Sequence, residues 1–186
     1  MAGIYIHVPF CKTRCIYCDF FTQTNTSPKS EYVHALCEEL KIRRNYLEGE
    51  PIRTIYFGGG TPSQLSKEDF GFIFESIYQT FEIDADAEIT LEANPDDLTE
   101  KYMSDLRSLP FNRISIGIQS FDDNELVFLK RRHSAQKAKD TVKRAKNAGF
   151  NNISIDLMYG LPNQTLDIWH RNLQEAIALD IQHISS

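Results

Sequence analysis

The sequence predicts an α/β fold on a parallel sheet, and three observations carry that prediction. Six short apolar runs alternate with six longer, charged and amphipathic stretches. Successive runs begin about 35 residues apart, the size of a strand–helix unit with a right-handed crossover. The runs end in glycine or polar residues, on the side where parallel β/α folds carry their chemistry.

The runs are GIYIHV at 3–8, TIYFG at 54–58, EITLEA at 88–93, RISIGI at 113–118, ISIDLM at 153–158 and QHISS at 182–186. Short apolar runs of this kind are the signature of buried parallel strands. Helices are predicted at 30–47, 66–81, 99–107, 122–129, 134–148 and 166–179. Their starts have local causes: Ser66 followed by Lys67-Glu68-Asp69 is close to a capping box, and Thr99-Glu100 follows an Asn94-Pro95 break. Gly149 after a basic last turn signals a helix end. A full eight-unit barrel needs about 250 residues, so six units suit either a doubly wound sheet or a piece of a β/α barrel. The length fits one domain, residues 1–186.

Composition narrows the function. The 20 Lys+Arg against 26 Asp+Glu give a net charge of -6, and there is no long basic run, which argues against nucleic acid as a partner. No apolar stretch approaches the roughly 20 residues that span a bilayer, and MAGIYIHVPFCK is too short in its apolar part for a secretory signal. The expected compartment is the cytoplasm, where thiols stay reduced.

Of the four cysteines, Cys11, Cys15 and Cys18 fall within eight residues as CKTRCIYC. In a reducing compartment this spacing points to a metal site and away from a disulfide framework. Structural zinc takes four closed ligands, whereas three thiolates on a [4Fe–4S] cube leave one iron open to an outside ligand. Cys37 lies at helical spacing with Val33, Leu36 and Leu40 and is expected to be a small buried hydrophobe.

The other unusual residues fall at the strand ends. Gly58-Gly59-Gly60-Thr61-Pro62 follows the second strand, and it lets backbone approach a ligand closely; it matches neither a Walker loop nor GxGxxG. Glu92 ends the third strand and could accept hydrogen bonds from ribose hydroxyls or an amine. Gln119 closes the fourth, and Asp156 sits near the end of the fifth. Tyr5 and Tyr17 flank the cysteines. The five histidines single out no haem ligand; His133 is expected at the surface or rim.

Together CxxxCxxC after the first strand and GGGTP after the second resemble the radical S-adenosylmethionine (SAM) enzymes. The segments YIHVPFCKTRCIYCDF, IYFGGGTPS, LEANPD, SIGIQSF and IDLMYGLPNQT resemble the oxygen-independent coproporphyrinogen oxidase group and its relatives, the HemW-type haem chaperones. The resemblance implies a partial barrel of six β/α units. It implies that Cys11, Cys15 and Cys18 hold three irons of a [4Fe–4S] cluster, with SAM on the fourth. It assigns Tyr5, Gly59 and Glu92 to this SAM. It assigns Tyr17, Gly60, Thr61, Gln119, Arg131 and Asp156 to a second SAM in the oxidase.

One departure separates the two relatives. The oxidase pattern has a further cysteine two residues past the third, and Phe20 stands there in this chain. The expected function is therefore haem delivery to respiratory proteins, with haem or a porphyrin as cargo. Oxidative decarboxylation of coproporphyrinogen III is the alternative. The sequence stops inside its sixth strand at Ser186, so the expectation is an incomplete radical SAM core lacking a C-terminal region, and an inactive truncated product is the third reading.

Overall fold

The computed structural model describes residues 2–186. Six parallel strands, β1 (Ala2–Val8), β2 (Ile52–Gly59), β3 (Ile83–Ala93), β4 (Arg113–Gln119), β5 (Ile153–Leu157) and β6 (His183–Ser185), lie in the order β1-β2-β3-β4-β5-β6. A doubly wound sheet reverses its order at a switch point. Here the order never reverses, and this decides between the two architectures left open by the strand and helix spacing: the fold is the partial TIM-like barrel that the resemblance implies.

Helices α1 (Lys29–Ile42), α2 (Lys67–Thr80), α3 (Glu100–Arg107), α4 (Asp123–Phe128), α5 (Ala135–Asn147) and α6 (Leu166–Ala178) fill the crossovers, with a short 3₁₀ turn at Pro62–Gln64. Their starts are set locally. Ser66 and Asp69 form a reciprocal capping box on α2, and Thr99, Asp122, Ser134 and Thr165 each accept a backbone N–H of the first turn. Gly149 ends the α5 segment at φ +91°, in the left-handed region that glycine occupies at no steric cost.

Two boundaries differ from expectation. α1 stops at Ile42, and residues 43–49 run as turns. Ile42 and Tyr46 are exposed, and Leu47 packs partly against the core from a turn, so no continuous apolar stripe holds a further helical turn down. β3 starts five residues early, at Ile83, where Ile83 pairs with Ile52 across a register shift.

Alternation gives the sheet two unlike faces. The outward face carries Ile6, Val8, Ile55, Phe57, Ile89, Leu91, Ile114, Ile116, Ile153 and Ile155, all buried. Phe57 packs edge-on against Phe70 of α2 and against Phe111, with centroids 5.4 Å apart in both pairs. Truncating a ring in such a cluster to Ala costs about 3–5 kcal/mol. The opposite, concave face is polar: Tyr5, His7, Tyr56, Glu92, Ser115, Gly117 and Asp156 alternate with those core residues. The apolar face fixes the strands and leaves the concave face free for a site.

Candidate cofactor site

The cysteine loop is stapled at its base. The Cys11 N–H donates to the Gln23 carbonyl at 3.0 Å, and the Gln23 N–H to that of Pro9 at 2.8 Å, so residues 11–22 form a closed loop on the end of β1. Phe10 anchors it from within the core, edge-on to Tyr32. Cys11 is buried, and Cys15 and Cys18 are half-buried; all are free. Burial pushes the Cys11 thiol up. The Thr61 hydroxyl, 3.3 Å from its sulfur, opposes this, and the nearby Cys18 and Cys15 thiols add to it. Among the described residues, no three Cys, His, Asp or Glu side chains converge where one metal ion would sit. Three soft thiolate donors that line one cleft fit an iron–sulfur cluster, in which each thiolate takes its own iron.

The glycine loop lies against this one. Gly59 has φ +104°, and a Cβ there would meet the His7 ring at 2.6 Å. A Cβ on Gly60 would lie 2.8 Å from the Val8 carbonyl oxygen and 2.9 Å from the Pro9 carbonyl carbon. Gly60 is thus required by the backbone that leads into Cys11. Thr61, buried, joins the loops: it contacts Cys11 on one side and accepts from Asn94 Nδ2 at 3.2 Å on the other.

Strands β3 to β5 supply a polar wall. Glu92 accepts from Tyr56 Oη at 2.6 Å and from the Gly59 N–H at 3.3 Å. Burial raises its carboxyl above the usual range, and these two donors pull it back. Burial and the charge of Glu92 push Asp156 up to about 6; the Ser115 hydroxyl lies 3.5 Å from its Oδ1. Gln119 sits at φ +74°, beside an irregularity in the β4–β5 register. Backbone strain of this kind clusters at ligand sites. Arg131 reaches back to the cysteine loop. Its Nη1 lies 3.4 Å from both Cys15 Sγ and Tyr17 Oη, while Nη2 donates to Asn94 Oδ1 and the Gly117 carbonyl. Burial and Cys15 raise the Tyr17 hydroxyl, and Arg131 opposes them.

A cleft of about 190 Å³ brings together every residue nominated from the sequence except Tyr5. Tyr5 lies nearby on the concave face, stacked on Tyr56 at 6.0 Å, with Glu92 raising its hydroxyl after burial does. Phe20 also lines the cleft and is 63% exposed.

Sequence reasoning missed Asn94, Asp97 and Ser115. The first two follow the carboxyl end of β3, so the strand-end rule could have found them. It also misplaced His133, which is buried. Its Nε2 meets the Ile118 carbonyl at 3.0 Å, while Nδ1 has no hydrogen-bond partner among the described residues and lies 3.9 Å from Asp96 Oδ2. Burial lowers this ring to about 4, so it is neutral at physiological pH. Cys37 is half-buried against the core, not fully enclosed.

A model of the Radical SAM superfamily matches residues 5–176. The chain belongs to the radical SAM superfamily. Membership implies a [4Fe–4S] cluster and SAM as cofactors. Among curated relatives, the heme chaperone HemW of Bacillus subtilis is 40% identical over 190 aligned residues, covering 100% of this chain and 49% of the relative. The heme chaperone HemW of Escherichia coli is 39% identical, covering 98% and 49%. The solved coproporphyrinogen III oxidase HemN of Escherichia coli, a radical SAM enzyme, superposes with a TM-score of 0.87 at 29% identity, covering 98% of this chain and 43% of that one. The chain spans about half the length of the curated relatives it matches. No helix among the described residues is long and apolar enough to cross a membrane.

Proposed function

We propose that residues 1–186 are the radical SAM core of a haem-handling protein of the chaperone type. Cys11, Cys15 and Cys18 hold three irons of a [4Fe–4S] cluster. Tyr5, Gly59 and Glu92 bind the SAM that completes it. Tyr17, Gly60, Thr61, Gln119, Arg131 and Asp156 line the remainder of the pocket. The cluster, when bound, supplies one electron to the sulfonium of SAM. The chain's own residues orient the ligand. Glu92 offers a carboxylate at the foot of the glycine loop, where an amine or ribose hydroxyl would lie. The half-buried Asp156 and the buried Ser115 close the far wall.

The observation that carries the chaperone reading is Phe20. It occupies the place of the oxidase's further cysteine, and its exposed ring borders the cleft. Relatives named heme chaperones at 40% and 39% identity support the same choice. The cargo is haem, the recipients are respiratory proteins, and the compartment is the cytoplasm, where free thiols persist. The second reading, coproporphyrinogen oxidation, rests on the superposition with the solved oxidase.

Anaerobic reconstitution with iron and sulfide tests the site. Replacing Cys11, Cys15 or Cys18 by Ala should remove the cluster absorbance, and Cys37→Ala should retain it. Haem titration set against coproporphyrinogen turnover then tests the function. Saturable haem binding without decarboxylation is the expected result, and conversion to protoporphyrinogen would establish the oxidase reading instead.

A further inference from the structure

We propose that Asp97 is a positioning residue for cofactor binding: one buried carboxylate that locks the cysteine loop to the glycine loop. The inference rests on the cluster assignment above and goes beyond it, because Asp97 itself lies outside the cleft lining.

Four donors from three other segments meet this side chain, which is only 2% exposed. Oδ1 accepts from Lys12 Nζ at 2.6 Å and from Arg132 Nη2 at 3.3 Å. Oδ2 accepts from Ser63 Oγ at 3.0 Å and from Gln64 Nε2 at 2.8 Å. Lys12 stands between Cys11 and Cys15. Ser63 and Gln64 directly follow the glycine loop, and Arg132 is the neighbour of Arg131, which contacts Cys15. Asp97 is fixed in turn by its own backbone, its N–H donating to the Asn94 carbonyl at 3.0 Å and its carbonyl accepting from Thr99.

The chemistry requires a carboxylate. An ionised carboxylate accepts hydrogen bonds at both oxygens, whereas an amide must turn its NH₂ toward one pair of donors. Two of the donors are cations, and charge-assisted bonds at a buried acceptor are the strong ones. The Lys12 side chain is half-exposed, so packing holds it only in part and the contact with Asp97 fixes its ammonium group. Without this lock the thiolates would keep their sequence spacing but lose their fixed register against Gly59 and Gly60. Ligand binding that spans both loops would then weaken before iron binding does, as ordering them becomes a cost of association.

The test uses the full chain, reconstituted anaerobically, with Asp97→Asn, Lys12→Met and the double variant. Iron content, thermal midpoint and the SAM-induced change in the electron paramagnetic resonance signal of the reduced cluster are read on each. Asp97→Asn should load iron as the unsubstituted chain does and bind SAM about tenfold more weakly. Lys12→Met should show a smaller loss in the same direction. The double variant should be no weaker than Asp97→Asn, since the two residues act through one contact. A merely structural role would lower the thermal midpoint and iron content together and leave SAM affinity of the loaded fraction unchanged. SAM affinities within twofold of the unsubstituted chain in both single variants, or strictly additive losses, would overturn the proposal. Should Asp97→Asn fail to fold, Lys12→Met decides alone, and unchanged affinity there overturns it. Failure of the unsubstituted chain itself to load iron would refute the cluster assignment, and this inference with it.

Discussion

Arg131 Nη1 lies 3.4 Å from Cys15 Sγ, across 116 residues of sequence. The same guanidinium is pinned from behind by Asn94 and the Gly117 carbonyl, so its aim at the sulfur is fixed by the ends of β3 and β4. A cationic N–H donor beside a cluster thiolate favours the more negative, reduced state, because hydrogen bonds to the sulfurs tune cluster potentials. Arg131→Met should therefore lower the midpoint potential of the reconstituted cluster by tens of millivolts, on the order of 60 mV for a tenfold change in a one-electron couple. A redox titration followed by electron paramagnetic resonance measures it. A potential that stays put or rises would show that the guanidinium does not act on the cluster.

Gly60 and Gly71 give opposite outcomes for the same substitution. A Cβ on Gly60 would run into the backbone of Val8, Pro9 and Phe10, which cannot yield as a side chain can; around Gly71, within α2, there is nothing within 4 Å. Gly60→Ala should cost about 1–3 kcal/mol as overpacking, a fall of several degrees in the thermal midpoint, and should reduce iron retention because Cys11 follows the displaced segment. Gly71→Ala should raise the midpoint, since alanine in a helix gains about 0.5–1 kcal/mol over glycine where the space is free. Calorimetry on the two variants checks both signs. Equal effects would mean that the Gly60 backbone has room to move.

These contacts mark the boundary of what the sequence could reveal. The apolar strands and their order along the chain were legible, because a parallel strand buried on its outer face writes itself as a run of Ile, Val, Leu and Phe. The strand-end rule then collected Cys11, Gly59, Glu92, Gln119 and Asp156 at one rim, and the structure places them around one cleft. The motifs at the strand ends implied the barrel through their resemblance, and the strand order bears it out. From the apolar runs alone the choice between barrel and doubly wound sheet was not legible, since it depends on which strands become neighbours. Nor was the junction of Lys12, Ser63, Asp97 and Arg132, where four ordinary polar residues acquire a role only by meeting. His133 escaped for a related reason: flanking arginines made it look solvated, but its ring packs inward to the Ile118 carbonyl. Helix α1 ends earlier than its periodicity suggests because Ile42 and Tyr46 are exposed, and Leu47 reaches the core from a turn.

The concave face stores a cost that ligand binding can relieve. Burial, with Glu92 second, pushes Asp156 from 3.8 up to about 6. A carboxyl with a raised folded value binds its proton more tightly in the folded chain than in the unfolded one. Its contribution to stability is therefore full below the unfolded value near 3.8, is lost as pH rises to about 6, and is absent above that. At neutral pH the ionised group costs the fold up to about 3 kcal/mol at 1.36 kcal/mol per pH unit, and partial solvent access reduces this to about 1–2 kcal/mol. Asp156→Asn removes the cost while keeping the shape. The variant of the iron-free chain should be more stable than the parent at pH 7.5, and the gap should close as pH falls toward 4. The same change should weaken SAM binding to the reconstituted chain, because a carboxylate held by one long hydrogen bond from Ser115 has acceptor capacity left for a donor on the ligand. Urea denaturation at pH 4.5, 6 and 7.5, paired with a SAM titration, separates the two effects. A stability gap that is independent of pH would show that Asp156 is already compensated in the folded chain.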